Sequence, residues 1–343
     1  MLKQYFTVEL EKYLGCLWGL ALGDAMGMPT EFLTPEEIAS RFGGKVQELR
    51  EPLVSHPRAG CPAGAVTDDT GQAIALAKAL ITYQRLTPEL VANALVQWAI
   101  EVDAFGKGFL GPSTAYALKA LQKGATPAEA GRQGKTNGGA VRIAPVALVF
   151  SDNWQLLMEQ TAIACLPTHG TTLAISAAAA VSAAIAAALV PGASVEDVLK
   201  AARLGAVAGR DYGYPCWTPL LERRLDLALE IISRYAERAD QIRALYELIG
   251  VDMTVTESVI TALALVAVTG GEPMPAIIEA VNMGGDTDTI AAIAGAICGA
   301  LRGSRAFDVT LVSQVERVNS LDCKKLAIEL LELRKTYMQR YSF

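Results

Sequence analysis

Residues 171–190 read TTLAISAAAAVSAAIAAALV, and the fold class turns on whether this run crosses a membrane or fills a protein core. No Asp, Glu, Lys or Arg occurs between Glu159 and Glu196, and the apolar run is long enough to span a bilayer. Its composition argues the other way. Most positions are Ala, Ser and Thr rather than Leu, Ile or Phe, and the flanks lack the aromatic and basic anchors that hold a span at the headgroups. A helix that is apolar all round without such anchors is expected to be enclosed by other helices. The uncharged intervals 258–271 and 290–301 read the same way. At least three buried helices are therefore expected, ringed by amphipathic ones.

Working outward, ELVANALVQWAIEV (89–102), LLERRLDLALEIISRYAERA (220–239) and KKLAIELLELRKTYMQRY (324–341) carry apolar residues at three- and four-residue spacing, while alternating strand patterns are nearly absent. Pro88, Pro112, Pro127, Pro167, Pro191 and Pro273 punctuate the helices, several where a first turn is expected. Hydrophobic residues make up 52% of the chain and aromatics only 6%, so Ala, Leu, Val and Ile carry the core, which suits closely packed helices. No polar linker or charge run divides the 343 residues, and a single all-α domain over 1–343, with a last helix at 322–341, is expected. A net charge of −6 without a basic tract argues against a nucleic-acid partner. Six scattered cysteines with no CxxC pair, and an opening MLKQYFTVELEKYLG without a signal-like apolar run, lead to the expectation of a cytoplasmic protein with no membrane partner.

The chemistry-bearing residues lie between the helices. Thr67-Asp68-Asp69-Thr70 precedes the helical run GQAIALAKALITY, and helix capping alone accounts for one such oxygen. Gly284-Gly285-Asp286-Thr287-Asp288-Thr289 precedes IAAIAGAICGAL, and there the second carboxylate is surplus to a cap. Four aspartates brought together need a compensating cation, and carboxylate and hydroxyl oxygens suit hard divalent ions. In GDAMGMPTEF (23–32) the glycines permit close approach or positive φ, Pro29 stops a helix, and the turn can present Glu31 to a cleft or leave it as a solvated loop acid. In TNGGAVRIAP (136–145) the backbone N–H groups around Gly138 and Gly139 can hold phosphate or ribose oxygens. Arg142 there either adds charge or pairs with a structural carboxylate. Thr168-His169-Gly170 offers a histidine at a helix entrance. With His56 the only other one, a His-rich zinc site is excluded.

Taken in order, GDAMGMPTEF, VTDDT, TNGGAVRIAPVAL, THGTTLAISAAAA and NMGGDTDTIAAIAGAICGAL resemble the ADP-ribosylglycohydrolase family across roughly residues 14–302. The resemblance implies an all-α fold with two divalent ions, magnesium or manganese, in a cleft. It implies metal ligands at Thr67, Asp68, Asp69, Asp286, Asp288 and Thr289, and catalysis at Glu31 with Asp69. Substrate contacts are expected from Asn137, Gly138, Gly139, Arg142 and His169. From the residues themselves, Tyr212–Trp217 offers rings on which adenine can stack, Tyr212 or Tyr214, or else an aromatic turn packed on the core.

One departure stands out. The nitrogenase-reductase branch of the family has a D-x-G tripeptide before a Thr-containing helix, and here the segment is FLGPST (109–114), with Phe109 at the acid position and Asp103 six residues upstream. Either Glu31 does the acid and base work or the substrate differs. The expected activity is metal-dependent release of ADP-ribose from a protein side chain, arginine first. The alternatives are an N-glycosidase acting on a small riboside or nucleotide and a non-catalytic ADP-ribose-binding relative.

Overall fold

Helix starts follow their caps. Thr87 Oγ1 accepts from Leu90 N with Pro88 in the first turn, and Pro112, Pro127 and Pro273 likewise begin helices. A computed structural model describes residues 2–341, so Met1, Ser342 and Phe343 of the expected 1–343 domain lie outside the described residues. Eighteen α-helices and two short 3-10 turns make up the regular structure of the described residues. Extended residues pair there only in the isolated bridges Thr136–Thr254 and Thr171–Tyr214, so the expected all-α class holds. The last helix runs Cys323–Tyr341.

Three local expectations change. Pro167 lies inside the Trp154–His169 helix, and Pro191 sits in the turn after Leu189. The run 220–239 is broken into Leu221–Ser233 and Arg238–Leu248. The Gln241 side-chain amide donates to Ile232 O and Tyr235 O, satisfying carbonyls that a continuous helix would have used.

The Thr172–Leu189 helix is the apolar run of 171–190, capped by Thr171 Oγ1 and 83% buried inside the protein. Trp154–His169, Val195–Gly209, Ala144–Phe150 and Thr287–Arg302 pack around it. Its few polar groups are satisfied within the core: Ser176 Oγ donates to Ala206 O at 2.6 Å, and Thr161 Oγ1 donates to Ser182 Oγ at 3.0 Å.

The first helix, Leu2–Gly27, lies antiparallel on Thr287–Arg302, and this contact sets the functional site. Gly15, Gly19, Gly23 and Gly27 recur every four residues and so share one helix face. A Cβ on Gly19 would stand 2.0 Å from the Gly295 carbonyl oxygen, and one on Gly27 would stand 2.5 Å from the Asp288 Cα. Residues 23–27 are therefore helical, and their glycines serve close approach rather than positive φ. A side chain at Gly19 has to push the backbones apart. Gly19→Val is expected to lower stability by about 1–3 kcal/mol or more, read from the denaturation midpoint.

Candidate metal centre and cleft

Two helix starts and one turn converge. At the first, Thr67 Oγ1 accepts from Asp69 N at 3.2 Å and completes the cap, leaving both aspartate carboxylates free of that duty. Asp24, fully buried at the end of the first helix, accepts from Thr67 N at 2.9 Å and Thr70 N at 3.0 Å, tying this start to the glycine-faced helix. At the second, Gly284 and Gly285 take φ of 81° and 71°, and Asp286 N donates to Val251 O. Asp286 then occupies the N-cap of Thr287–Arg302 without capping it. Its carboxylate instead accepts from Asn137 Nδ2, which also donates to Ser258 Oγ. Thr289 Oγ1 donates to Asp69 Oδ2 at 2.7 Å and joins the two clusters.

Glu31 arrives by backbone pairing. Phe32 N donates to Gly285 O and Gly285 N to Leu33 O, which lays the turn after Pro29 alongside Asp286. One oxygen each from Glu31, Asp286 and Asp288 lie within 4.8 Å of one another.

Burial holds Glu31, Asp69 and Asp288 well above the usual carboxylate range, and the neighbouring acids push further. Burial also raises Asp286 to about 6 even with Asn137 bonded to it. Asp68 is raised by burial, with Arg58 opposing the shift. Five acids in one pocket cannot all ionise without added positive charge. The donors that converge are carboxylate and hydroxyl oxygens, the set that suits magnesium or manganese better than zinc.

The cleft encloses about 160 Å³ and is lined by Glu31, Asp68, Asp69, Asp286, Asp288 and Thr289, with Asn137 and Gly138 on one wall. Thr67 lies beneath as the cap. Gly139 packs behind, where an added Cβ would stand 3.0 Å from His169 Cβ.

Three of the expected substrate-contact residues lie outside the cleft lining. Arg142 is fully buried under the Trp154–His169 helix. It donates to Gln72 Oε1, Ala164 O and Thr168 Oγ1, and so does not reach the cleft. Burial pushes its pKa down to about 10. Gln72 passes the contact on, since its amide nitrogen donates to Asp68 Oδ2 at 2.9 Å. His169 closes a helix rather than opening one. It is fully buried between Thr136 and Thr168, and burial keeps it well below its ordinary pKa. Its ring supports the underside of Gly138, whose Cβ would stand 3.1 Å from His169 Cε1. Tyr212 turns its hydroxyl toward Gln155, with Glu159 nearby, and is not among the cleft-lining residues.

Sequence reasoning missed Asp24, Gln72, His56 and Arg58. Asp24 had a signal, a carboxylate closing an apolar helical run. His56 and Arg58 lie in the irregular segment VSHPRAGCPAG, where no periodicity marks a facing side. His56 Nδ1 accepts from Arg58 N, and its buried Nε2 stands 3.9 Å from Glu31 Oε2 with no hydrogen-bond partner. Arg58 Nη2 donates to Asp68 Oδ1 at 3.0 Å and to Phe109 O at 3.1 Å.

A family model described as ADP-ribosylglycohydrolase matches residues 7–340. The chain is 34% identical to the uncharacterized protein YegU of Escherichia coli K12, over 96% of this chain and 98% of that one. It is 29% identical to the ADP-ribosylarginine hydrolase Tri1 of Pseudomonas putida GB-1, over 94% of this chain and 78% of that one. A solved chain described as an ADP-ribosylglycohydrolase-related protein complex aligns with a TM-score of 0.69 at 26% identity, covering 96% of this chain and 99% of that chain.

Proposed function

The chain belongs to the ADP-ribosylglycohydrolase family of glycoside hydrolases, and from that premise we propose that it releases ADP-ribose from a modified protein side chain by hydrolysis at ribose C1. Thr67, Asp68, Asp69, Asp286, Asp288 and Thr289 are the residues to hold two divalent ions, magnesium or manganese, with Glu31 within reach. Such ions supply Lewis-acid polarisation of ribose hydroxyls and lower the pKa of a bound water. Glu31 accepts the proton of the attacking water. The water oxygen bonds to C1, the bond from C1 to the side chain breaks, and a proton ends on the departing group. Asp69, fixed by the Thr289 hydroxyl, orients the ribose from the floor of the cleft.

The observation that carries this reading is the convergence of five carboxylates from three distant segments on one cleft. The experiment is release of ADP-ribose from ADP-ribosylarginine and ADP-ribosylserine peptides, and of base from small N-ribosides, with and without added magnesium or manganese. Glu31→Gln should cut turnover by about a hundredfold or more in a folded protein. No metal-dependent hydrolysis of any of these substrates would overturn the proposal.

The small cleft favours one second reading. About 160 Å³ is well below the roughly 300–1,000 Å³ of pockets that enclose larger ligands, so ribose fits and the ADP portion does not. In the first reading ADP lies along the rim beside Thr136. There Lys135 Nζ stands 5.2 Å from the ring centroid of Trp217, which is 92% exposed, and Arg132 lies over Tyr214. These groups suit a diphosphate and an adenine ring. Competition separates the readings: if neither ADP-ribose nor ADP inhibits while a simple riboside is hydrolysed, the protein is an N-glycosidase of small ribosides.

A further inference from the structure

Beneath Gly138 lies a row of buried hydrogen-bonding groups whose direction one residue fixes. A guanidinium carries N–H donors and no acceptor, so every hydrogen bond of the fully buried Arg142 runs outward from it. Nη1 donates to Gln72 Oε1 at 2.9 Å, and Nη2 donates to Thr168 Oγ1 at 2.6 Å. The first of these bonds sets the Gln72 amide with its nitrogen free to donate to Asp68 Oδ2. The second begins a longer chain.

Thr168 is fully buried, and among the described residues the one acceptor for its hydroxyl proton is His169 Nδ1, at 2.7 Å. A ring nitrogen that accepts carries no proton, so the neutral imidazole has its N–H on Nε2. Burial first, and the nearby charge of Arg142 second, keep the ring neutral. Nε2 meets Thr136 Oγ1 at 3.0 Å, and the threonine oxygen is therefore the acceptor. Thr136 is only partly buried and lines the cleft. Its backbone is held by the bridge to Thr254 and by Asn137 N donating to Met253 O at 3.2 Å. Among the described residues its own proton has no acceptor.

A threonine hydroxyl ordinarily rotates to give or take a hydrogen bond as its partner requires. Here the imidazole N–H occupies one lone pair, and the chain behind it, headed by a buried cation, polarises the O–H as a donor. The acids gather on the floor of the cleft, whereas Arg132 and Lys135 precede Thr136 on the rim, and among the described residues neither is paired with a carboxylate. A phosphate oxygen accepts and never donates, and it suits a one-way donor beside two cations. We propose that the Thr136 hydroxyl donates to a phosphate oxygen of the bound ADP-ribosyl group, and that Arg142 is a positioning residue that sets this donor through Thr168 and His169. This rests on the proposed glycohydrolase reading of the same cleft.

The test uses the full chain. Heteronuclear NMR of nitrogen-labelled imidazoles reads the direction of the chain in the wild-type protein, with His169→Gln showing which of the two histidines gives each signal. His169 should carry its proton on Nε2 and none on Nδ1, and a proton on Nδ1 overturns the inference. Calorimetric titration with ADP-ribose at saturating manganese reads the cleft end. Thr136→Val should weaken ADP-ribose binding by about tenfold or more, and Thr136→Ser should restore it to within about twofold of wild type. Thr168→Val should weaken it by about threefold, a loss that vanishes in the Thr136→Val background because the two act through one hydroxyl. A Thr168→Val loss that persists in that background overturns the part given to Arg142. Manganese titrated alone should bind Thr136→Val within about twofold of wild type, since the hydroxyl is not one of the proposed ligands. An ADP-ribose affinity that Thr136→Val leaves unmoved in folded protein, or that falls only in step with manganese affinity, overturns the inference and leaves the glycohydrolase reading intact. A wild-type protein that neither binds ADP-ribose nor releases it from an ADP-ribosylated peptide overturns both.

Discussion

Thr67-Asp68-Asp69-Thr70 and Asp286-Thr287-Asp288-Thr289 begin two helices with similar lettering, yet the surrounding chain treats them differently. The first has its own cap in Thr67, a buried acid beneath it in Asp24, and two donors on Asp68 from Arg58 and Gln72. Behind Gln72 stands the buried cation Arg142. The second has no side-chain cap, and Asp286 takes the neutral amide of Asn137, with Asp288 and Thr289 also bonded to it. The chain then brings a third acid, Glu31, against it. Asp288 and Glu31 are held well above the usual carboxylate range by burial and neighbouring acids, as is Asp69 of the first cluster, and Arg58 opposes the rise at Asp68, Asp288 and Glu31, bonding directly to Asp68 alone of these. The first cluster carries part of its compensation in the protein. The second has no directly bonded cation among the described residues, so under the proposed metal-binding reading it is expected to be the more sensitive half of the site.

Removing one acid from each cluster tests that contrast most strongly. Asp288→Asn should weaken manganese binding by about a hundredfold or more, and Asp68→Asn by distinctly less, as read by calorimetric titration. Equal losses would break the comparison.

Stability against pH comes next. The folded-state pKa of Asp286 is raised to about 6 by burial, and those of Glu31 and Asp288 are raised as well. For acids raised on folding, stability is complete below the unfolded carboxylate range and is lost as pH rises through the folded value. Protein kept in chelator should therefore melt several degrees lower as pH goes from about 4 to above about 6. Saturating magnesium should remove that slope. A flat melting profile in chelator would mean that the second cluster needs no outside charge.

A smaller effect sharpens the first cluster. Gln72→Leu cuts the link between Arg142 and Asp68, and manganese affinity should fall by about tenfold with Glu31 and Asp288 untouched. Smallest of all is Tyr212→Ala, which should leave manganese titration and ADP-ribose competition within about twofold, since its ring lies outside both clusters and the cleft.

The two clusters were legible for a local reason. A cap uses one oxygen, and a second carboxylate within two residues has no work in the helix start, so the excess itself is the signal. Glu31 was legible only as an acid after a helix-stopping proline. Where Arg142, His169 and Tyr212 lie was not legible, because charge, an imidazole and an aromatic ring near glycine-rich turns look alike whether they face a ligand or a core. Arg142 is buried where its turn meets the Trp154–His169 helix, His169 is the buried last residue of that helix, and the Tyr212 hydroxyl faces its Gln155, placements that packing rather than a local pattern decides.

What the sequence by itself determined is therefore what short-range patterns encode: the all-helical class, the enclosed Thr172–Leu189 run, the capped starts, and the surplus acids at 68–69 and 286–288. Only the tertiary structure decided that Gly15, Gly19, Gly23 and Gly27 bring the first helix into backbone contact with Thr287–Arg302, that Asp24 anchors the 67–70 turn, and that Arg58 reaches Asp68 while, among the described residues, no side-chain cation bonds to Asp286. The physical reason is range. Periodicity and capping act within a few residues, whereas the charge each acid feels depends on burial and on partners that meet only when distant helices pack.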